Sequence, residues 1–320
     1  MRLSHSVLVL LLSLACALGA RAQERLSIVC TISQVGDAVA QIGGDRADVV
    51  TLMGQGVDPH LYKPTRSDMV AMRRADIVFA NGLLLEGKMT DALLRLREAG
   101  KPVVFVAESV DAEHLLHPEY FEGASDPHVW MDPGLWAECV EAIASALAEQ
   151  DPGHASEYEA NARAYIERVR ELDAYAERVM STVADDMRVL ITAHDAFNYF
   201  GRRFGLEVMG IQGISTESEA GVREIEQLVD VLVERNIPAV FMESTVSERN
   251  VRALIAGARA RGHSVSLGAS LFSDAMGAPG TYEGTYIGML DHNVTSIVRA
   301  LGGEAPSGGM HGRLAMDGGD

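Results

Sequence analysis

One stretch limits the possible folds more than any other. Residues 152–183, PGHASEYEANARAYIERVRELDAYAERVMSTV, carry no proline beyond the first position and one early glycine. Tyr158, Ala162, Tyr165, Val169 and Leu172 recur at the spacing of one helix face, which predicts a single long helix. On either side, short β-branched runs alternate with amphipathic segments, the pattern of parallel βα units. Strands are predicted at 26–32, 47–53, 75–80 and 102–107 in the first half, with helices around 34–43, 65–74, 86–98 and 133–149. The second half repeats the style, with strands at 188–193, 206–211, 238–243 and 264–269 and a last helix at about 284–301. The expected fold class is therefore α/β: two Rossmann-like βα lobes, 23–151 and 184–302, joined by one backbone helix. Flexible linkers are rich in Gly, Ser or Pro, and this one is not. Residues 303–320 have the composition of a disordered tail, in which His311 is expected to be unstructured.

At 320 residues and 48% apolar composition the chain can fill two cores of ordinary size. A formal charge of −18 argues against nucleic acid and anionic membrane surfaces as partners, since both require clustered Lys and Arg. A monomer is expected. Residues 1–22 read as a secretory signal: Arg2, an apolar run from Val7 to Leu18, then Ala20-Arg21-Ala22. Cleavage after Ala22 is the expected processing. SLAC, ending at Cys16, offers a lipid-anchored alternative but lacks the Leu usual three residues before the cysteine. The chain is thus expected to be exported, periplasmic or tethered to the outer face of the cytoplasmic membrane. Cys30 and Cys139 could pair there or remain buried thiols.

Two near copies, VDPHLY at 57–62 and SDPHVW at 125–130, give the first chemical clue. Proline fixes φ and biases the preceding Asp to extended backbone, so each loop is stiff and aims its histidine. Functional residues of α/β folds collect past the carboxyl ends of strands. The polar residues there are His60, His128, His194 and Asp274, two from each half and 66 to 80 residues apart. They can meet only between the lobes. Three imidazoles and a carboxylate suit Zn²⁺, Mn²⁺ or Fe²⁺, and the lack of thiolates disfavours Cu⁺. Asp58 and Asp126 are candidates to orient the imidazoles, and Glu243 is a candidate extra ligand or supporting group. Each signal alone has an ordinary reading: an Asp-Pro turn, Asp195 as a helix cap beside His194, Asp274 as a turn cap. His114 and His117 offer at most a weak auxiliary site. There is no phosphate loop, no dinucleotide fingerprint and no HExxH motif.

The stretches LMGQGVDPHLYKPT, ANGLLLEGKM, DPHVWMDPGLW, LITAHDAFNYFGRRFGLEVMGIQGISTESEAG and LFSDAMGAPGTYEGTYIGM run in order through residues 26 to 302. Together they resemble the TroA-like, or cluster A-I, substrate-binding proteins, metal receptors of ABC importers. The resemblance implies two α/β lobes on one backbone helix and a Zn²⁺ or Mn²⁺ ion held as cargo by His60, His128, His194 and Asp274. Delivery to an ABC permease with its ATPase is implied too, and no enzymatic activity. Related manganese receptors often have Glu at the position of His194, and zinc-specialised ones a His-rich loop before the second Asp-Pro-His. Here 108–125 hold only His114 and His117, which favours the mixed or manganese branch. The competing readings are a surface adhesin with a structural metal and a metallohydrolase with an open coordination position.

Overall fold

Four β-branched runs of the first half form β1 (Leu26–Ile32), β2 (Ala47–Met53), β3 (Ile77–Ala80) and β4 (Val103–Phe105) in a parallel sheet of order β2-β1-β3-β4. The computed structural model describes residues 25–121 and 123–314; the expected signal at 1–22 lies outside them. Helices α1 (Ser33–Gly43), α2 (Arg66–Arg74), α3 (Thr90–Glu98) and α4 (Pro133–Gln150) follow the strands, and α5 (Ala155–Met180) leads to the second half. There β5 (Val189–His194) pairs with β6 (Glu207–Gln212) and β7 (Ala239–Val240) with β8 (Ser266–Leu267), both parallel. Phe241 N–H donates to Ile191 O at 2.9 Å and sets β7 beside β5. The order β6-β5-β7-β8 thus repeats the first lobe, with α6 (Asn198–Phe204), α7 (Val222–Glu234), α8 (Arg249–Ala260) and α9 (Tyr286–Ala300) around it.

The packing ties the two lobes together. One large core runs from the first sheet through the buried face of α5 (Tyr158, Tyr165, Leu172, Tyr175) to α6 and α9. A smaller core fills the second sheet, and β5 stands between them. Its Leu190 points to the large core, and Val189, Ile191 and Ala193 point to the small one, the period-two alternation of a strand covered on both faces. Although α9 follows the second sheet in sequence, it packs on α5, where Tyr175 Oη and Thr295 Oγ1 lie 2.8 Å apart, and reaches α1, where Tyr286 N–H donates to Asp37 at 3.1 Å.

Two expectations and one alternative reading need correction. The strands at 238–243 and 264–269 shrink to two residues each, with the pairing interrupted after Val240 and resumed only at an isolated parallel bridge between Glu243 and Leu271. Asp195 does not cap a helix: α6 starts at Asn198, and Asp195 instead accepts a hydrogen bond from Tyr120 Oη. The tail is ordered through Leu314, whose side chain is buried. Asp291 is fully buried and requires donors; it receives them from Tyr282 Oη at 2.9 Å, Thr295 Oγ1 at 3.1 Å and the Met310 amide at 2.9 Å. Gly309 sits at φ +74°, and a Cβ there would lie 2.5 Å from Asp291 Oδ2. The glycine that reads as disorder is what lets the main chain reach the carboxylate. His311 lies in this ordered strap; residues 315–320 lie outside the described ones. Cys30 and Cys139 are buried free thiols, pushed up from the ordinary thiol range by burial. No helix among the described residues is long and apolar enough to cross a membrane.

Deletion of 303–320 should lower unfolding stability by roughly 2–4 kcal/mol, since it strips a buried carboxylate of a donor and exposes the site of Leu314. Denaturant melts of the full and shortened chains measure this, and equal midpoints would show that the strap contributes nothing.

Candidate metal centre

Each half supplies two residues. His60 follows β2, His128 precedes the short turn at Val129–Met131, His194 ends β5 and Asp274 follows β8. All four are buried, at 3%, 0%, 0% and 2% exposure, and their candidate ligand atoms lie within 4.8 Å of one another. Nε2 of His60 stands 3.5 Å from Asp274 Oδ2, Nε2 of His128 3.3 Å from Oδ1, and Nε2 of His194 3.3 Å from Oδ2. Four ligands at bonds of about 2.0–2.1 Å around a tetrahedral Zn²⁺ are separated by about 3.3 Å. None of the three Nε2 atoms, nor either oxygen of Asp274, has a hydrogen-bond partner. Orphaned buried polar atoms each cost about 1–3 kcal/mol, so five converging on one point fit an ion and fit little else.

The surroundings hold the rings without help from an ion. Asp58 Oδ1 accepts from the His60 amide at 2.9 Å. Asp126 Oδ1 takes both the amide of His128, at 3.0 Å, and its Nδ1–H, at 2.7 Å. Glu243 does the same for His194: Oε1 accepts the amide at 2.7 Å and Oε2 the Nδ1–H at 2.5 Å. Glu243 is therefore a supporting group and not a ligand. With Nδ1 of His128 and His194 occupied by carboxylates, Nε2 of each is left to face the centre. His114 and His117 lie away from it, near Glu138 and Ser125.

The duplicated motif serves two ends. Trp130 packs edge-on against His128 at 5.3 Å, and its Nε1 donates to Ser273 O at 3.0 Å, tying the second Asp-Pro-His loop to the loop of Asp274. Tyr62 donates instead to Asp68, in the capping box that starts α2.

Sequence reasoning gave no role to Asn81 and Glu86. Gly82, Leu83 and Leu84 all have positive φ, at 87°, 52° and 66°. That strained turn is held by the buried Glu86 carboxylate, which accepts from the amides of Asn81 at 2.6 Å and Gly82 at 3.1 Å and from Thr31 Oγ1 at 2.8 Å. Its product is the reach of Asn81 Nδ2 to Pro127 O at 3.0 Å, which fixes the His128 loop. An Asn-Gly pair after a strand was the available signal.

Electrostatics separate the imidazoles. Burial, outweighing the nearby Asp274, holds His60 down at about 3. Burial pulls His128 down too, but the carboxylates of Asp126 and Asp274 prevail and raise it to about 9. His194 is raised well above the usual range against its burial by Glu243 and Asp274, and Asp274 is held well below it, despite its burial, by His194 and His128.

The fold and this centre define a class: two βα lobes on a shared long helix, with a His₃Asp cluster between them. Residues 28–300 match the family described as zinc-uptake complex component A, periplasmic (ZnuA), and the chain belongs to it. It is 44% identical to the manganese-binding lipoprotein MntA of Bacillus subtilis, over 88% of this chain and 92% of that one. The solved structure of the periplasmic zinc-binding protein TroA of Treponema pallidum is 43% identical and superposes with a TM-score of 0.84, covering 87% of this chain and 99% of its own. Fe(III)-bound YtgA of Chlamydia trachomatis, at 28% identity, gives 0.79 over 87% and 99%.

Gly87 lies at φ +42°, with its would-be Cβ 2.3 Å from His60 O. Gly87→Ala should cost about 1–3 kcal/mol and displace the His60 loop. Denaturant melts and imidazole NMR report on this; His60 resonances should move and those of His194 should stay.

Proposed function

We propose that this protein captures a divalent transition metal, Zn²⁺ or Mn²⁺ with Fe²⁺ also accommodated, between its lobes and delivers it to an ABC permease driven by its ATPase. The observation that carries this reading is the set of unpartnered atoms on His60, His128, His194 and Asp274. The relatives agree, being named for manganese, zinc and Fe(III). The work is done outside the cytoplasmic membrane, periplasmic or tethered to its outer face: residues 1–22 have the sequence pattern of an export signal, and the relative MntA is named a lipoprotein.

Capture needs a preformed site that is not indispensable to the fold. Asp58, Asp126 and Glu243 position the histidines by hydrogen bonds that need no ion. Chelator-stripped protein should therefore keep its circular dichroism and a cooperative melt, with Tm rising on addition of Zn²⁺. Unfolding on stripping would favour the adhesin with a structural metal. Four protein ligands leave no open position for a hydrolytic water. Hydrolysis of generic esters or phosphates that tracks metal content would revive the hydrolase.

Competition titration of stripped protein should give one site at which Zn²⁺ and Mn²⁺ exclude each other, with Zn²⁺ the tighter by the Irving–Williams order. His194→Ala should weaken binding by more than about 100-fold, beyond what loss of a supporting hydrogen bond costs, and leave the fold intact. Protons and metal compete for the same Nε2 atoms. With His128 raised to about 9 and His194 raised as well, loading near neutral pH releases protons, so affinity should rise as pH is raised from 6 toward 9. Calorimetry in buffers of different ionisation enthalpy measures that release.

A further inference from the structure

A cargo must leave as well as bind, and ligands this buried cannot exchange until something moves. The aspartates of the two Asp-Pro-His loops each divide their oxygens between the lobes. Asp126 gives Oδ1 to His128 and Oδ2 to Asn198 Nδ2 of the second lobe, at 3.1 Å. Asp58 gives Oδ1 to the amide of His60 and Oδ2 to Thr216 Oγ1 of the second lobe, at 2.6 Å.

The two seams differ in strength. On the Asp126 side, Tyr199 Oη also donates to Asp126 O at 2.9 Å and accepts the Leu116 amide at 3.0 Å, while Arg202 donates to His114 O at 2.7 Å and Tyr120 Oη to Asp195. On the Asp58 side, Thr216 makes the hydrogen bond that reaches the Asp-Pro-His loop itself, while Gln34 and Ser33 cross the cleft to the loop of Asp274. Beyond the Thr216 bond lies a cavity of about 210 Å³, lined by the carboxylates of Asp58 and Glu219, the single cation Arg249, the polar Gln212 and Thr216, and the apolar Leu61 and Val246 among others. Thr216 sits on the loop between β6 and α7, and Gln212, register partner of His194, donates to Ser218 O of that loop at 3.3 Å. The His194 strand is thus linked through Gln212 to the loop that carries Thr216.

We infer that the metal enters and leaves past Asp58, through this cavity, and that the Thr216–Asp58 hydrogen bond is the gate, while the Asn198–Tyr199 seam stays closed. This rests on the proposed metal site. Thr216 is a positioning residue that never touches the ion.

A gate and a ligand support differ kinetically: opening a gate speeds entry and exit together, whereas weakening a support speeds exit alone and costs affinity. Wild type, Thr216→Val, Thr216→Ser and Asn198→Ala are loaded with Co²⁺ and followed by stopped flow, with dissociation read by chelator capture and association by Co²⁺ absorption. Wild-type binding of one Co²⁺ is the control; its absence would sink the metal-site reading rather than the gate. Thr216→Val should raise both rates roughly tenfold, the weight of one hydrogen bond to a carboxylate, with little change in Kd or in the ligand-field spectrum. Thr216→Ser, which keeps the hydroxyl, should behave as wild type and shows that the position tolerates change. Asn198→Ala should leave the association rate unchanged. The gate is overturned if Thr216→Val leaves both rates within about twofold of wild type, raises dissociation alone, or if Asn198→Ala accelerates association instead.

Discussion

The structure turns on one buried carboxylate. Asp274 faces three imidazole nitrogens at 3.3–3.5 Å with no hydrogen bond to either oxygen. Such a cluster persists only if its surroundings forbid the small shifts that would let each atom find an ordinary partner. The loop of Asp274 is held accordingly. Ser273 O accepts from Trp130 and from Gln34, the backbone of Phe272 is bracketed by Asn293, and the Met276 amide donates to Ser33. Three of those four partners come from the first lobe or its core, so the second lobe's only carboxylate in the cluster is clamped from across the cleft.

That clamping accounts for the shared core. Were the lobes independent domains on a plain rod, the distance from Asp274 to His60 and His128 would vary with every hinge fluctuation. Instead α9, which carries Asn293 and Tyr286, packs on α5 and α1, and Tyr286 Oη donates to Trp130 O at 2.9 Å. The ordered tail extends the brace: Asp291 on the same helix binds Met310, fastening the end of the chain to α9.

Much of this was legible in the residues. The eight strands, the long helix and all four converging side chains follow from β-branched runs, helical spacing and the rule that strand ends carry function. What escaped has a common physical cause. The strap was missed because Gly309 looks like disorder unless Asp291 is known to be buried beneath it. The role of Glu86 was hidden because a buried carboxylate serving three donors has no spacing of its own in sequence. Thr216 and Asn198 lie 158 and 72 residues from their aspartates, and no local pattern announces such pairs. The ordinary reading of Asp195 as a helix cap fails because β5 extends through His194 and the helix starts only at Asn198.

The twin motifs show how one local solution is bent to two uses. Both loops stiffen a histidine with Asp-Pro, and both spend the second aspartate oxygen on the other lobe. Yet His128 has its Nδ1 fixed by Asp126 and its ring against Trp130, with the loop pinned by Asn81 and Tyr199. His60 has its amide held, while its neighbour Leu61 is exposed at 47% and Tyr62 is turned to a helix cap. An ion binding such a set meets one firm imidazole and one on a looser loop. Exchange by ligand loss should begin at the looser donor, because freeing His128 would break several bonds at once and freeing His60 few.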